Sequence, residues 1–269
     1  MTNIVITGCS TGIGLESALY LKDRMIKVFP TARKAEDVEK LKKLGFEHAM
    51  LLDVAKPETI SQVIEKVLEI DGKIDVWFNN AGYGQMGAIE DVPTEFVREQ
   101  FETNVFGLHE ATRQIVKVMR KQGYGKIIQH SSVLGIVALP MRGIYNASKY
   151  AVEGLTDTLR LELIDTKIYP VLLNTGPVES HFRKNAIKTL DNLDLENATF
   201  KEKYIASKEG RAKRVPFSLP AESVASIVHK IILTPQPQPR YYITKATYIL
   251  GYAKRVLSTS WLDKLLLKV

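Results

Sequence analysis

Cysteine is almost missing: Cys9 is the only one in 269 residues, which rules out an internal disulfide and a cysteine-built zinc site. The five histidines (48, 109, 130, 181 and 229) are scattered without ligand spacing, so no metal centre is expected. Long apolar runs are missing as well. No stretch approaches the ~20 uninterrupted apolar residues that a bilayer span requires. Met1-Thr2-Asn3 leads straight into Ile4-Val5-Ile6 with no basic region ahead of an apolar one, so no signal peptide is expected and the location reads as cytoplasmic. Neither internal repeats nor low-complexity tracts interrupt the chain. At 45% hydrophobic and 25% charged residues it has enough apolar material for a large core and is not disordered.

The net charge of +7 raises nucleic acid as a partner. The excess is concentrated in residues 201–214, net +4, and 240–269, net +5, so the remainder carries −2. No zinc finger or RNP sequence accompanies it, so no nucleic-acid role is expected; a solvated or phosphate-facing basic surface fits better.

Along the chain, strand-like and helix-like patterns alternate. Strands are expected at 3–7, 27–32, 48–52, 76–78, 126–129 and 168–173. Helices are expected at 12–24, after the second strand through Leu44, from Pro57 onward, as one long helix between the fourth and fifth strands, and at 145–163. Pro57 suits a first helical turn. Strands separated by helices indicate a parallel sheet covered on both faces, and right-handed crossovers then favour a doubly wound α/β fold in a single domain, 1–269. Pro30 falls inside the second strand and cannot donate to a ladder, so a local irregularity is expected there. Pro235-Gln-Pro-Gln-Pro239 reads as a stiff spacer before a last strand at 240–243.

Thr7-Gly8-Cys9-Ser10-Thr11-Gly12-Ile13-Gly14 joins the first strand to the first helix. Gly8 permits the tight turn, Gly12 lets a pyrophosphate approach the backbone, and Gly14 lets the helix pack closely on the sheet. The helix N-terminus then offers free N–H groups and a partial positive charge to phosphates. In Tyr145-Asn146-Ala147-Ser148-Lys149 the phenol and the ammonium lie four residues apart on one helix face. A phenol titrates near pH ~10, and a nearby cation lowers that value, bringing it toward useful acid–base work. Ser132 follows the fifth strand at the carboxyl edge, where open parallel sheets bind ligands.

The spacing Gly-x-x-x-Gly-x-Gly after Thr7, together with Asn79-Asn80-Ala81-Gly82 and the ordered set Asn104, Ser132, Tyr145 and Lys149, resembles the short-chain dehydrogenase/reductase family, over residues 3 to about 245. That resemblance implies a Rossmann fold and a nicotinamide-dependent oxidoreductase. It implies Tyr145 as general acid/base and Ser132, thirteen positions before it, as the hydroxyl that bonds the substrate oxygen. Asn104 would anchor a water that relays protons to Lys149, and Lys149 would hold the nicotinamide ribose. Cofactor contacts are implied at Gly8, Ser10, Thr11, Gly12, Ile13, Gly14, Asn80, Ala81 and Gly82. Asp53 and Val54 are placed at the adenine. The segment 174–180, through Gly176, Val178 and Ser180, would take the nicotinamide end, although Thr175 replaces the family's usual proline.

The family's acidic position after the second strand is Ala32, followed by Arg33 and Lys34; a guanidinium can fork onto a 2′-phosphate, so NADP(H) is the expected cofactor. The whole-chain pattern is similar to bacterial NADP-dependent aldehyde reductases related to retinol- and hydroxysteroid-type enzymes. His130 reads as a residue packed in the fifth strand and Cys9 as a filler of the turn. Leu134, Leu139, Met141 and Phe182 suggest an apolar wall for a lipophilic aldehyde or ketone, with residues 181–214 as a mobile helical lid. A steroid, retinol or acyl-dihydroxyacetone-phosphate substrate is the alternative. Non-enzymatic alternatives are a nucleotide-sensing regulator and a membrane-surface interaction protein. Residues 246–269 combine Tyr248, Ile249, Leu250, Tyr252, Trp261 and Leu262 with lysines. Such a segment either packs on the core or a neighbouring subunit, or lies on an acidic membrane surface. A homodimer or homotetramer is implied by the resemblance.

Overall fold

Buried parallel strands read as unbroken apolar runs because successive side chains enter opposite layers and both layers are covered. The computed structural model, which describes residues 1–209 and 217–268, shows that split strand by strand. The strands are β1 (Asn3–Ile6), β2 (Lys27–Ala32), β3 (Met50–Leu51), β4 (Val76–Asn79), β5 (Tyr124–Ser132), β6 (Lys167–Thr175), β7 (Val178–Glu179), β8 (Leu219–Pro220) and β9 (Arg240–Tyr242). Ile4 and Ile6, Val28, Val76 and Phe78, and Ile128 face one layer; Val5, Phe29, Trp77 and Ile127 face the other. Seven strands form a parallel sheet ordered β3-β2-β1-β4-β5-β6-β9. β7 and β8 make a small ribbon of their own.

The helices are α1 (Gly12–Lys22), α2 (Ala35–Lys43), α3 (Pro57–Asp71), α4 (Thr94–Phe101), α5 (Leu108–Gln122), α6 (Gly143–Glu162), α7 (His181–Lys188), α8 (Lys201–Lys208), α9 (Glu222–Leu233), α10 (Lys245–Val256) and α11 (Thr259–Leu266). The faces they bury follow from their apolar spacing. Ala18 and Leu21 of α1, Val38 and Leu41 of α2, and Val224, Val228 and Ile231 of α9 close the first layer. Ile60 and Val63 of α3 with Ala111 and Ile115 of α5 close the second, and Val152 of α6 meets Leu172 beside it. The result is the expected single-domain, doubly wound fold. Because β1 and β4 are neighbours while the chain leaves β1 toward β2, a crevice opens at their carboxyl ends.

Pro30 causes no irregularity, contrary to expectation. Ala32 accepts from Leu52 N at 2.9 Å and Thr31 from Cys9 N at 2.7 Å, so alternate residues of β2 point to opposite sides. Pro30 points the same way as Ala32, toward β3, which begins only opposite Thr31; no donor is needed there. The expected long helix before β5 is interrupted by a π-helical stretch, Glu102–Gly107. β5 itself runs on to Ser132, so that residue closes the strand and does not follow it.

The segment expected as a lid is helical in α7 and α8, and its residues 210–214 lie outside the described residues. It is clamped on its inner side: Ala186, Leu190, Leu193 and Tyr204 pack with Met86 and Val92. The fully buried Tyr204 donates to Asp91 Oδ2 at 2.6 Å and accepts from Ala88 N at 2.8 Å. Met141, expected on the substrate wall, packs against this cluster as well, because its φ of 63° turns the chain before α6. The C-terminal segment forms α10 and α11, and Leu250, Leu262 and Leu266 pack against Val133, Leu134, Val137 and Tyr145. One side of that segment is therefore core. Its outer side leaves Tyr252, Val256 and Trp261 exposed. No described helix is long and apolar enough to cross a membrane.

Candidate active site

The crevice contains a cavity of about 550 Å³ that runs from the glycine turn to the start of α7. At one end Gly8 and Gly12 take φ of 74° and 64°, values that side chains rarely adopt. A Cβ on Gly14 would strike the Gly8 carbonyl and come within 2.5 Å of Asn80 Nδ2, so α1 can approach the turn only through glycine. Thr7 locks the turn to the end of β4: its hydroxyl accepts from Asn80 N at 3.0 Å and Ala81 N at 2.9 Å. Asn80 Nδ2 donates back to the Thr7 and Gly8 carbonyls at 2.9 and 3.1 Å. The neighbouring Asn79 serves the fold, bonding Thr112, Gln129 and Trp77. Ser10 and Thr11 are left open beside the first turn of α1, and Thr11 makes no capping bond.

Gly8, Ser10, Thr11, Gly12, Ile13, Gly14, Arg33, Asp53, Val54, Asn80, Ala81, Gly82, Ser132, Tyr145, Lys149, Gly176, Val178 and Ser180 all line this cavity. Lys34 and Asn104 do not. Lys34 leads into α2 and reaches Glu36 at 3.6 Å in solvent. Asn104 is buried in the π-helical stretch, and its amide is occupied. Oδ1 accepts from Tyr83 N at 3.1 Å, and Nδ2 donates to Tyr83 O at 2.9 Å and Ser148 Oγ at 3.2 Å. Its side-chain donors are spent on fixing the loop after β4 to α6, which leaves none for a water.

Tyr145 and Lys149 emerge from the buried face of α6, and the ammonium lies 5.7 Å from the phenol ring centroid. Lys149 Nζ donates to the His130 carbonyl at 2.6 Å. Burial pushes the Tyr145 phenol up to about 12, against smaller opposing effects of Ser132 and Arg142. Burial likewise draws Lys149 down to about 8, with Glu153 one turn along opposing it. The lowering expected from a nearby cation does not prevail at the phenol. Desolvation of the ring outweighs an ammonium that faces a carbonyl. The phenol stays loaded with its proton.

Sequence reasoning missed what surrounds this pair. His130 does more than pack: its Nδ1 meets Asn80 Oδ1 at 3.0 Å and its Nε2 meets Thr175 Oγ1 at 2.9 Å. Burial, then Lys149, push its pKa down to about 3, so it is a neutral brace across β4, β5 and β6. Thr175 thus does by hydrogen bonding what a proline would do by stiffness. Gly176 lies so close to the Thr244 hydroxyl that a Cβ has no room. Glu153 accepts from Ser131, Asn174 and Arg240, tying α6 to β5, β6 and β9 directly beneath the site. Only their meeting in space marks these residues. Cys9 is buried as a filler, its thiol pushed up to about 12 by burial. Leu134, Leu139 and Phe182 line the far end of the cavity, with Phe182 5.4 Å from the Tyr145 ring.

A strand–glycine turn–helix crevice that ends in a buried Ser, Tyr and Lys is the frame of a nucleotide-dependent oxidoreductase. Residues 2–191 match the short chain dehydrogenase family, and the chain belongs to that family. It is 36% identical over 265 residues to the uncharacterized oxidoreductase YbbO of Escherichia coli, covering 98% of this chain and 93% of that protein. It is 31% identical to a 3-ketodihydrosphingosine reductase of Bacteroides thetaiotaomicron, covering 96% and 92%. A short chain dehydrogenase/reductase from Burkholderia phymatum, solved in complex with NAD, superposes with a TM-score of 0.77 at 27% identity, covering 95% of this chain and 92% of that one.

Proposed function

We propose that the protein reduces the carbonyl group of lipophilic aldehydes or ketones to the alcohol, using NADPH. The observation that carries this reading is the convergence of Ser132, Tyr145 and Lys149 with Leu134, Leu139 and Phe182 at one end of the crevice. The residues fit a dinucleotide. Gly8–Gly14 form a cradle that a Cβ at Gly14 would fill, the start of α1 faces it, and Arg33, just after β2, also lines the cavity, with no acid at Ala32. A guanidinium at that place suits a 2′-phosphate, which supports NADPH over NADH.

When bound, the reduced nicotinamide supplies a hydride to the carbonyl carbon. Ser132 holds the carbonyl oxygen as negative charge develops there. Tyr145 donates its phenolic proton to that oxygen, and the raised pKa of the resting site keeps the proton in place until charge appears. Lys149 holds positive charge beside the phenolate left behind, while His130, neutral and braced, keeps the lysine aimed. Asn104 supports this set by positioning Tyr83 and Ser148, the latter bonded to the Tyr145 carbonyl at 2.8 Å.

The apolar end favours a lipid-like substrate, and the Bacteroides thetaiotaomicron relative is a 3-ketodihydrosphingosine reductase. The outer face of α10 and α11, with Tyr252, Val256 and Trp261 among basic residues, suits peripheral contact with an acidic membrane. The family resemblance also supports a homodimer or homotetramer.

The test follows reduced nicotinamide with medium-chain aldehydes, retinal and small polar sugars. Faster turnover of the lipophilic carbonyls with NADPH than with NADH is expected. Tyr145→Phe should cut turnover by about 10²-fold or more while nucleotide binding persists. A preference for sugars, or an active Tyr145→Phe, would overturn the reading.

A further inference from the structure

Two arginines at the carbonyl end of the cavity are unused by the reaction described above. Arg142 stands three residues before Tyr145, at the entry to α6, and Arg183 lies in the first turn of α7. Both are half-buried and both line the cavity with Tyr145, Leu139 and Phe182. The other partly buried arginine deep in the fold, Arg240, is neutralised by Glu153 and Asp157. The side chains of Arg142 and Arg183 have no salt bridge and no hydrogen bond among the described residues, and residues 210–216 contain no Asp or Glu. Instead they repel one another. Burial, then the charge of Arg183, push the Arg142 guanidinium below its usual range, with Tyr145 opposing.

Arg142 is also held in place at a cost. Met141, immediately before it, has a φ of 63°, a strained conformation for a residue with a Cβ. That turn is pinned by the Gly87 N–H, which donates to Met141 O at 3.0 Å. Two like charges half-withdrawn from water and without ionic partners beside one cavity are unfavourable until an anion enters it. A guanidinium pair offers several donors in fixed forks that match carboxylate and phosphate oxygens.

We propose that Arg142 and Arg183 form an oxyanion subsite, so that the favoured substrate is a lipophilic ketone or aldehyde bearing a carboxylate or phosphate within reach of its carbonyl. This rests on the carbonyl-reductase reading and names the substrate class more narrowly. It also gives a reason why the cavity joins an apolar wall to a basic corner.

The experiment compares charged and neutral members of matched pairs with NADPH: 2-oxooctanoate against its methyl ester, and acyl dihydroxyacetone phosphate against acyl dihydroxyacetone. The charged member of at least one pair should have a kcat/KM roughly tenfold or more above its neutral partner; which pair responds separates carboxylate from phosphate. Arg142→Gln with Arg183→Gln should collapse that ratio toward one through KM for the anion, and Arg142→Lys should keep part of it. Independently of turnover, decyl phosphate should raise the Tm of the wild type and not of the double variant, while decanol should do so for neither. Equal rates for charged and neutral members overturn the subsite and leave the reductase reading intact. A rise in KM for NADPH with every substrate alike also overturns it, because the arginines would then serve the nucleotide phosphates. Failure of all carbonyls, with Tm still raised by decyl phosphate, would instead sink the reductase reading.

Discussion

Protonating His130 would put a second cation into the layer that already holds Lys149, and the fold resists it down to about pH 3 against an ordinary value of 6.5. The consequence for stability has a definite sign. Above pH 6.5 the imidazole is neutral whether the chain is folded or not. Below it, the unfolded chain takes up a proton that the folded one refuses, so stability falls as the pH falls from 6.5 toward 3, by up to about 1.4 kcal/mol per pH unit. Urea unfolding of the wild type across that window should show the loss, and His130→Gln should show a shallower one; identical slopes would mean that the ring is not held neutral. Tyr145 and Lys149 were legible as a pair because helical spacing places them on one face, and Ser132 because the family resemblance singles it out. Arg142, His130 and Thr175 were not, since their roles depend on partners far along the chain, such as Asn80, 50 residues from His130. Lys34, one residue beyond Arg33, does not line the cavity and lies exposed beside Glu36.

Among the elements, α8 shows how the covering of the cavity is held. The Tyr204 hydroxyl satisfies both Ala88 N and Asp91 at the edge of the substrate end. Tyr204→Phe would leave a buried N–H and a carboxylate short of partners, at about 1–3 kcal/mol. A lower Tm and a raised substrate KM are expected, with nucleotide affinity little changed; an unaltered KM would show that α7 and α8 do not govern the substrate end. Strand and helix types were readable from periodicity. The break at Glu102–Gly107 was not, because a π-helical turn has no spacing signal. It arises where Gly107 packs against Val54 and Asn104 reaches back to Tyr83. The end of β5 was missed because Ser131 and Ser132 are polar, yet Ser131 is paired with Glu153 and both serines stay in the ladder with β6.

For the whole molecule, the exposed apolar side chains on the second layer bear on assembly. Phe106 and Leu155 project from the π-helical stretch and α6 at 54% and 40% exposure, within about 95–119 and 145–163, the helices through which the family resemblance implies that subunits join. Light scattering should give two or four times the chain mass, and Leu155→Glu should reduce it; a wild-type monomer would remove the expectation. Apolar exposure on α10 and α11 lies elsewhere, and Trp261→Glu should lower sedimentation with anionic liposomes without changing that mass.

Local chemistry in the sequence determined the parallel α/β frame, the glycine turn and the placing of Tyr145 and Lys149 on one helix face, because each depends on conformational freedom, helical spacing or strand alternation over a few residues. Tertiary structure alone decided that Pro30 is harmless, that α10 and α11 pack behind Tyr145, that burial raises the pKa of the phenol and that two half-buried arginines line the cavity beside it. Those properties come from desolvation and from contacts between distant segments, which no short stretch of chain contains.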